Sequence, residues 1–263
     1  MTQERKGQEF RALHEGEPFV IPNPWDAGSA KLLEALGFRA LATTSSGFAF
    51  TLGRPDGGAS GDEVFDHVRV LAEASELPVS VDLENGYGAA LADAARAIER
   101  VAEAGAVGGS IEDWDPGEGR IYELDHAVER IAAAVEAASG LGFPFTLTAR
   151  AENHFRGNPD LDDTIARLRA FERAGADVLY APRLRTVDDI RAVCEAVSKP
   201  VNVLAHPKLS LADIAGAGGQ RVSVGGNLTW VAYGAMADVA KEIRETGDFS
   251  GITVPSAMRD LLT

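Results

Sequence analysis

One junction recurs along this chain. Glu34-Ala-Leu-Gly37-Phe38, Glu103-Ala-Gly105-Ala106 and Arg173-Ala-Gly175-Ala-Asp177 each set a glycine between an amphipathic stretch and a short apolar run. Glycine at that place closes a helix in the left-handed conformation just before a strand begins. Its repetition argues for successive strand-helix units, because parallel strands need helical crossovers. Eight strand candidates follow the pattern: Phe19 to Pro22, Ala40 to Thr43, Pro78 to Asp82, Ala106 to Ile111, Phe145 to Arg150, Val178 to Ala181, Pro200 to Ala205 and Arg221 to Val224. Between them, apolar residues at three- and four-residue spacing predict helices over 27–36, 62–75, 91–104, 124–138, 162–174, 187–196, 211–215 and 228–245. Eight such units in 263 residues make a closed (β/α)8 barrel of the TIM type the economical architecture, a single α/β domain spanning 1–263. A doubly wound open sheet competes poorly, since no Gly-x-Gly-x-x-Gly follows the first strand.

Charge narrows the partners. With 25 Lys+Arg against 40 Asp+Glu the net charge is −15, which disfavours nucleic acid and anionic membrane. The single cysteine, Cys194, rules out an internal disulfide and fits a reducing cytoplasm; its apolar neighbours read it as a small packed residue. The first ten residues are charged with no apolar run behind them, and no later segment approaches the roughly 18 apolar residues of a membrane span. A cytoplasmic protein is expected.

In a barrel the loops after the carboxyl ends of the strands build the active site. Polar residues gather there. Asp82 ends the third strand, and in extended geometry Glu84 projects to the same side. Glu112 ends the neighbouring fourth strand, and Asp56 lies in the loop before the third. Oxygen ligands grouped in this way suit Mg2+, with Mn2+ also acceptable, and some of them act through bound water because Mg2+ retains its hydration. Pairing of Asp82 and Glu112 with Arg150 is the competing reading, and Arg54-Pro-Asp56-Gly is also an ordinary turn. Arg150, ending the fifth strand, offers a planar fork for a substrate carboxylate; a rim salt bridge to Glu152 or Glu112 would use the same group. Thr44, Ser45 and Ser46 offer hydroxyls and backbone N–H groups to an anionic oxygen, or form a plain polar turn. Asn202, ending the seventh strand, is a buried amide that needs partners. Trp25 walls the pocket or belongs to the core, and Asp26 caps a helix. His206, Tyr87, Glu118 and Tyr122 are candidate proton carriers, with the glycine-rich segment 116–120 as a lid or a solvated loop. Gly225-Gly226-Asn227 reads as a glycine turn rather than a phosphate site.

In this order the motifs resemble the isocitrate lyase/phosphoenolpyruvate mutase superfamily over nearly the whole chain. The resemblance runs from Pro22-Asn-Pro-Trp-Asp-Ala-Gly-Ser-Ala30 and Ala40-Leu-Ala-Thr-Thr-Ser45 through Asp82-Leu-Glu-Asn-Gly-Tyr-Gly88, Gly109-Ser-Ile-Glu-Asp113 and Thr148-Ala-Arg-Ala-Glu152 to Val222-Ser-Val-Gly-Gly226. It implies an α/β barrel, a homo-oligomer (a tetramer or dimer) whose C-terminal helix is exchanged between subunits, and Mg2+ that binds a small 2-oxo carboxylate or its enolate. It places Asp82 as the metal aspartate with Glu84, Glu112 and Asp56 in support, Thr44, Ser45 and Ser46 on the substrate carboxylate or oxyanion, and Arg150 as the family arginine.

Departures from the family pattern narrow the chemistry. The superfamily's isocitrate and methylisocitrate lyases carry a Lys-x-Cys-Gly-His loop after the fourth strand, whereas this chain reads Asp113-Trp-Asp-Pro-Gly-Glu-Gly-Arg-Ile-Tyr-Glu123. Both activities are disfavoured. The mutase's Lys-Thr-Asn-Ser segment is also missing, and Pro182 stands about where that enzyme has a histidine. What remains is oxaloacetate decarboxylation or another carbon-carbon cleavage, with Arg150, Glu112 and His206 as the catalytic candidates and Trp25, Thr44, Ser45, Ser46, Asp82, Arg150 and Asn202 around the substrate. Phosphonopyruvate hydrolysis or phosphoenolpyruvate mutase-like C–P chemistry is the alternative. A non-catalytic oxo-acid-binding homologue and an unrelated barrel acting on a sugar phosphate are the other readings.

Overall fold

Eight strands form one parallel sheet: β1 (Phe19–Ile21), β2 (Leu41–Ala42), β3 (Val79–Asp82), β4 (Gly108–Glu112), β5 (Thr146–Arg150), β6 (Val178–Tyr180), β7 (Val201–Leu204) and β8 (Arg221–Ser223). The computed structural model describes residues 1–253, so the last ten residues of the expected 1–263 domain lie outside the described residues. Each strand falls on a predicted apolar run. The ladder is continuous from β2 through β3 to β8 and on to β1, and across the remaining seam Ala42 N donates to Pro22 O at 3.0 Å. The sheet is thus a nearly closed (β/α)8 barrel. Gly37, Gly105 and Gly175 all adopt positive φ, 86°, 101° and 104°, so the recurring joint is a left-handed helix stop.

The seam has a clasp. Buried Asn23, just after β1, donates through Nδ2 to Thr43 O at 2.8 Å, and its Oδ1 accepts from Val224 N and Gly225 N, both at 2.9 Å. One amide thereby joins the ends of β8, β1 and β2, where the backbone ladder is thinnest.

Strand alternation sorts two environments. Val79, Val81, Leu147, Ala149, Leu179, Val201, Val203 and Val222 belong to one apolar core cluster with residues of the surrounding helices. The intervening positions, Ser80, Asp82, Ser110, Arg150, Tyr180, Asn202, Arg221 and Ser223, line a cavity inside the barrel. Bulky aliphatic side chains usually fill a barrel interior. Here polar ones leave space.

Ten helices occur among the described residues, of which two were not expected. Helix α1 (Gln3–Leu13) covers the amino-terminal end of the barrel, packing Phe10 and Leu13 on Phe19, Ile21, Ala40 and Val107. A short helix over Ser45–Thr51 follows β2 where a turn was one of the readings, with Thr44 as its cap accepting from Gly47 N at 3.3 Å. The segment 116–120 is mostly the exposed turn of a hairpin: Trp114–Asp115 and Arg120–Ile121 form a two-stranded antiparallel ribbon, its turn held by Asp115 Oδ1 accepting from Gly117 N and Glu118 N.

His14 caps α1 and gives the fold a pH dependence. Its Nδ1 donates to Phe10 O at 2.8 Å, which leaves Nε2 to accept from Arg221 Nη1 at 3.2 Å. Burial, followed by the Arg221 charge, lowers its pKa to about 3. The unfolded chain takes up this proton near pH 6.5, while the folded chain takes it up only near 3. The contribution is therefore complete above pH 6.5 and is lost as pH falls toward 3. Thermal denaturation from pH 7 to 4 is expected to fall less steeply in His14→Gln than in the parent, by up to about 1.4 kcal/mol per pH unit. Parallel curves would refute the assignment.

The last described helix, α10 (Asn227–Thr246), has twenty residues and buries only Thr229. Trp230, Val231 and Met236 are 49%, 68% and 60% exposed, and its first turns touch the body through Phe50, which packs edge-on against Trp230 and Tyr233.

Candidate active site

The cavity encloses about 140 Å³ at the carboxyl-terminal end of the barrel. It opens through Ser46, Asp56, Phe155 and Gly225 into a vestibule lined also by Arg183, His206 and Trp230. Of the residues singled out from sequence, Thr44, Ser45, Ser46, Asp56, Asp82, Arg150 and Asn202 line the inner cavity.

Asp82 is held from two sides. Its backbone N–H donates to Thr43 Oγ1 at 2.9 Å, and its Oδ2 accepts from Ser45 N at 3.3 Å. Thr44 Oγ1 and Ser46 Oγ lie 3.2 Å apart on the same wall. Glu112 and Arg150 are register partners on β4 and β5. The Arg150 guanidinium meets Glu112 at 3.4 Å, Asp82 at 3.5 Å and Glu152 more closely still. Arg156 joins the group, reaching Glu112 at 3.3 Å and Glu152 at 3.1 Å while stacking on Trp114 at 4.3 Å. The rim salt bridge is therefore formed, and Arg150 already has three carboxylate partners.

Negative charge is in surplus. Five carboxylates, Asp56, Asp82, Glu84, Glu112 and Glu152, gather around Arg150 and Arg156. Burial, with the charges of Asp82 and Asp56 added, raises Glu84 to about 7. Glu112 is also raised well above its ordinary value, because burial outweighs the attraction of Arg150. Burial alone would lower Arg150, but Glu152, Glu112 and Asp82 hold its pKa well above the usual arginine value. An all-oxygen donor set with unrelieved negative charge fits a hard divalent cation. No three Asp, Glu, His or Cys side chains among the described residues converge closely enough to enclose an ion by themselves. Arg150 stands between Asp82 and Glu112, which leaves water to complete any shell.

Several placements differ from expectation. Glu84 does not continue the β3 face: the strand ends at Asp82 and Glu84 takes φ 49°, although its N–H still donates to Asp82 Oδ1 at 3.4 Å. Trp25 is absent from the cavity and lines a separate surface groove with Phe48, His67 and Tyr233, because Asp26 caps the next helix and turns the chain at that point. His206 lies in the vestibule, where Nδ1 accepts from Lys208 N at 3.3 Å. Tyr122 points away into packing with Asn85 and Arg130, and half-buried Tyr87 has a phenol oxygen without a partner among the described residues. Glu118 is exposed in the hairpin turn. Burial pushes the Cys194 thiol up to about 11, so it stays protonated and unreactive.

Tyr180 and Arg221 are cavity residues that the strand-end rule missed. Arg150, Tyr180, Asn202 and Arg221 are register partners across β5 to β8 and face the same side of the sheet. Polar period-two spacing, Thr146-x-Thr148-x-Arg150 and Arg221-x-Ser223, was the signal in the sequence.

A parallel barrel with a carboxylate- and arginine-lined cavity at its carboxyl end is an enzyme-type scaffold. The chain belongs to the phosphoenolpyruvate phosphomutase family, whose model matches residues 10–244, and thus to the phosphoenolpyruvate mutase/isocitrate lyase superfamily. It is similar to the crystal structure of a Burkholderia cenocepacia J2315 protein provisionally described as a lyase/mutase, at 53% identity and a TM-score of 0.94 over 98% of this chain and 95% of that one. An oxaloacetate decarboxylase from Bradyrhizobium sp. is 30% identical over 85% of this chain and 79% of its own length. A 2-methylisocitrate lyase from Escherichia coli K12 is 31% identical over 76% of this chain and 70% of its own.

Proposed function

We propose that this protein is a Mg2+-dependent lyase that acts on a small 2-oxo or 2-hydroxy carboxylate, by decarboxylation of the oxaloacetate type or by another carbon-carbon cleavage. The surplus of carboxylates around Asp82, beside the hydroxyl wall of Thr44 and Ser46, carries this reading. Asp82 would hold the cation directly, with Glu84, Glu112 and Asp56 acting through water. Bound there, Mg2+ supplies charge stabilisation for an enolate. Ser45 N–H orients Asp82, the Thr44 and Ser46 hydroxyls face the ligand's anionic oxygens, and Arg150 fixes the positions of Asp82 and Glu112. Arg150 acts as an organiser of carboxylates at least as much as a substrate clamp.

Two departures bear on the alternatives. A decarboxylating enzyme needs no thiol acid, consistent with the absent cysteine loop and the protonated Cys194. Pro182 lines the cavity where a histidine would serve C–P chemistry, so phosphonopyruvate hydrolysis ranks second. Turnover of oxaloacetate, phosphonopyruvate and methylisocitrate, each with and without Mg2+, tests the proposal. Mg2+-dependent release of pyruvate from oxaloacetate is expected; no turnover on the whole panel would overturn the decarboxylase reading and favour the oxo-acid-binding homologue. Helix α10, with its exposed Trp230 and Val231, is read as docking on a second copy of the chain in a dimer or tetramer, and a monomeric mass in solution would exclude that. The single cysteine supports a cytoplasmic setting. Among the described residues no helix is long and apolar enough to cross a membrane.

A further inference from the structure

The floor of the cavity carries an unneutralised charge. Arg221 begins β8, is 5% exposed, and lines the cavity beneath the rim. Its Nε donates to Asn202 Oδ1 at 2.8 Å, Nη2 to Thr148 Oγ1 at 2.9 Å and Nη1 to His14 Nε2 at 3.2 Å. All three acceptors are neutral. Arg221 takes part in none of the ion pairs found among the described residues, whereas Arg150 above it has three carboxylate partners. A guanidinium has five N–H donors, so two remain without an acceptor among the described residues. Burial lowers Arg221 only to about 10, so it is charged at neutral pH. Keeping a buried cation without a counter-charge is costly, and a ligand anion removes that cost.

The row Arg150, Tyr180, Asn202, Arg221 places the two arginines in one space. Register partners on tilted barrel strands step down the axis, so three strand steps lower the row by roughly 8 Å. Accordingly Arg150 ends its strand while Arg221 starts its own, and Arg221 reaches Thr148, two residues below Arg150 on the same strand. Tyr180 and Ser223 complete the polar wall between them.

We propose that Arg221, with Thr148, Asn202 and Tyr180 around it, forms a second anion subsite at the cavity floor, which seats one carboxylate of a dicarboxylate ligand whose other end lies at the rim. This rests on the oxo-acid reading of the rim and specifies the substrate class as dianionic.

Calorimetry in the presence of saturating Mg2+, which offsets the carboxylate surplus at the rim, tests it with succinate, and with butyrate as the one-carboxylate analogue of the same chain length. The intact protein is expected to bind succinate at least about tenfold more tightly than butyrate, Arg221→Gln to lose at least about tenfold in succinate affinity, and Arg221→Lys to recover most of it. Equal binding of the two acids by the intact protein, or undiminished succinate binding by Arg221→Gln, overturns the proposal. Arg221 also ties α1 to the barrel, so a variant that fails to fold is covered by a measurement on the intact protein: crystals soaked in bromide are expected to show an anomalous peak within hydrogen-bond reach of Arg221 Nη1 or Nη2. Bromide ordered elsewhere but not there counts equally against it. Because Arg221→Gln leaves the rim residues in place, Mg2+-dependent turnover without a succinate preference would sink the floor subsite alone, and a preference that Arg221→Gln abolishes, without turnover, would sink the enolate reading alone.

Discussion

Asp82→Asn is expected to lower Mg2+-dependent turnover by at least about 10³-fold while leaving the melting temperature nearly unchanged. The substitution keeps the side chain's size, and the amide oxygen still accepts from Ser45 N at the position where Asp82 Oδ2 now stands 3.3 Å away. What it removes is one unit of negative charge at the point where β3 meets the cavity, and with it only the long contacts that Glu84 N and Arg150 Nη1 make to Oδ1, at 3.4 Å and 3.5 Å. Calorimetric Mg2+ affinity is expected to fall in parallel, since a carboxylate is a far better ligand for a hard cation than an amide. Unchanged Mg2+ binding by the variant would show that Asp82 is not the metal residue, whatever happened to turnover.

Arg150→Met is expected to have the largest effect on stability. Its side chain fits the space approximately, but Glu112 and Glu152 are almost fully buried and Asp82 is partly buried, and each loses a cation within 3.5 Å. Breaking a buried pair from one side costs about 3–5 kcal/mol, equivalent to a fall in melting temperature of roughly 10 °C in a domain of this size. The stranded carboxylates respond by taking up protons, so the loss is expected to be smaller at pH 5 than at pH 8. Glu112, already pushed upward by burial, is the first to protonate. Mg2+ is expected to restore more melting temperature to this variant than it adds to the parent, because it replaces the missing positive charge. Equal melting curves for variant and parent would mean that the rim cluster is solvated enough to manage without Arg150.

Much of the rim was legible because of where its residues stand in the chain. Asp82, Glu112 and Arg150 end apolar runs, and a side chain at the end of a barrel strand projects toward the active-site face. Arg221 escaped the same rule because it starts its strand. Its inclusion depends on barrel tilt, which lowers the register row from β5 to β8 until a strand's first residue faces the cavity floor. Trp25 was misplaced for a local reason: the capping box of Asp26 with Ser29 sets the chain direction after β1. Glu84 was misplaced because the extended geometry assumed for Asp82-Leu-Glu84 stops after Asp82, where the chain turns left-handed to let Glu84 O accept from Glu112 N at 2.9 Å.

From the amino-acid order alone came the eight strand-helix units, the left-handed glycines that end the helices, and the set of carboxylates delivered to one rim. These are properties of segments of about ten to twenty residues, within which periodicity and chain stiffness act. The closed structure decided the partners. Asn23 meets Val224 and Gly225, and His14 meets Arg221, across about two hundred positions, only because β8 comes to lie beside β1. It also decided that Arg150 is neutralised and Arg221 is not, since electrostatic pairing depends on distances of a few ångströms across the barrel, which no local pattern encodes.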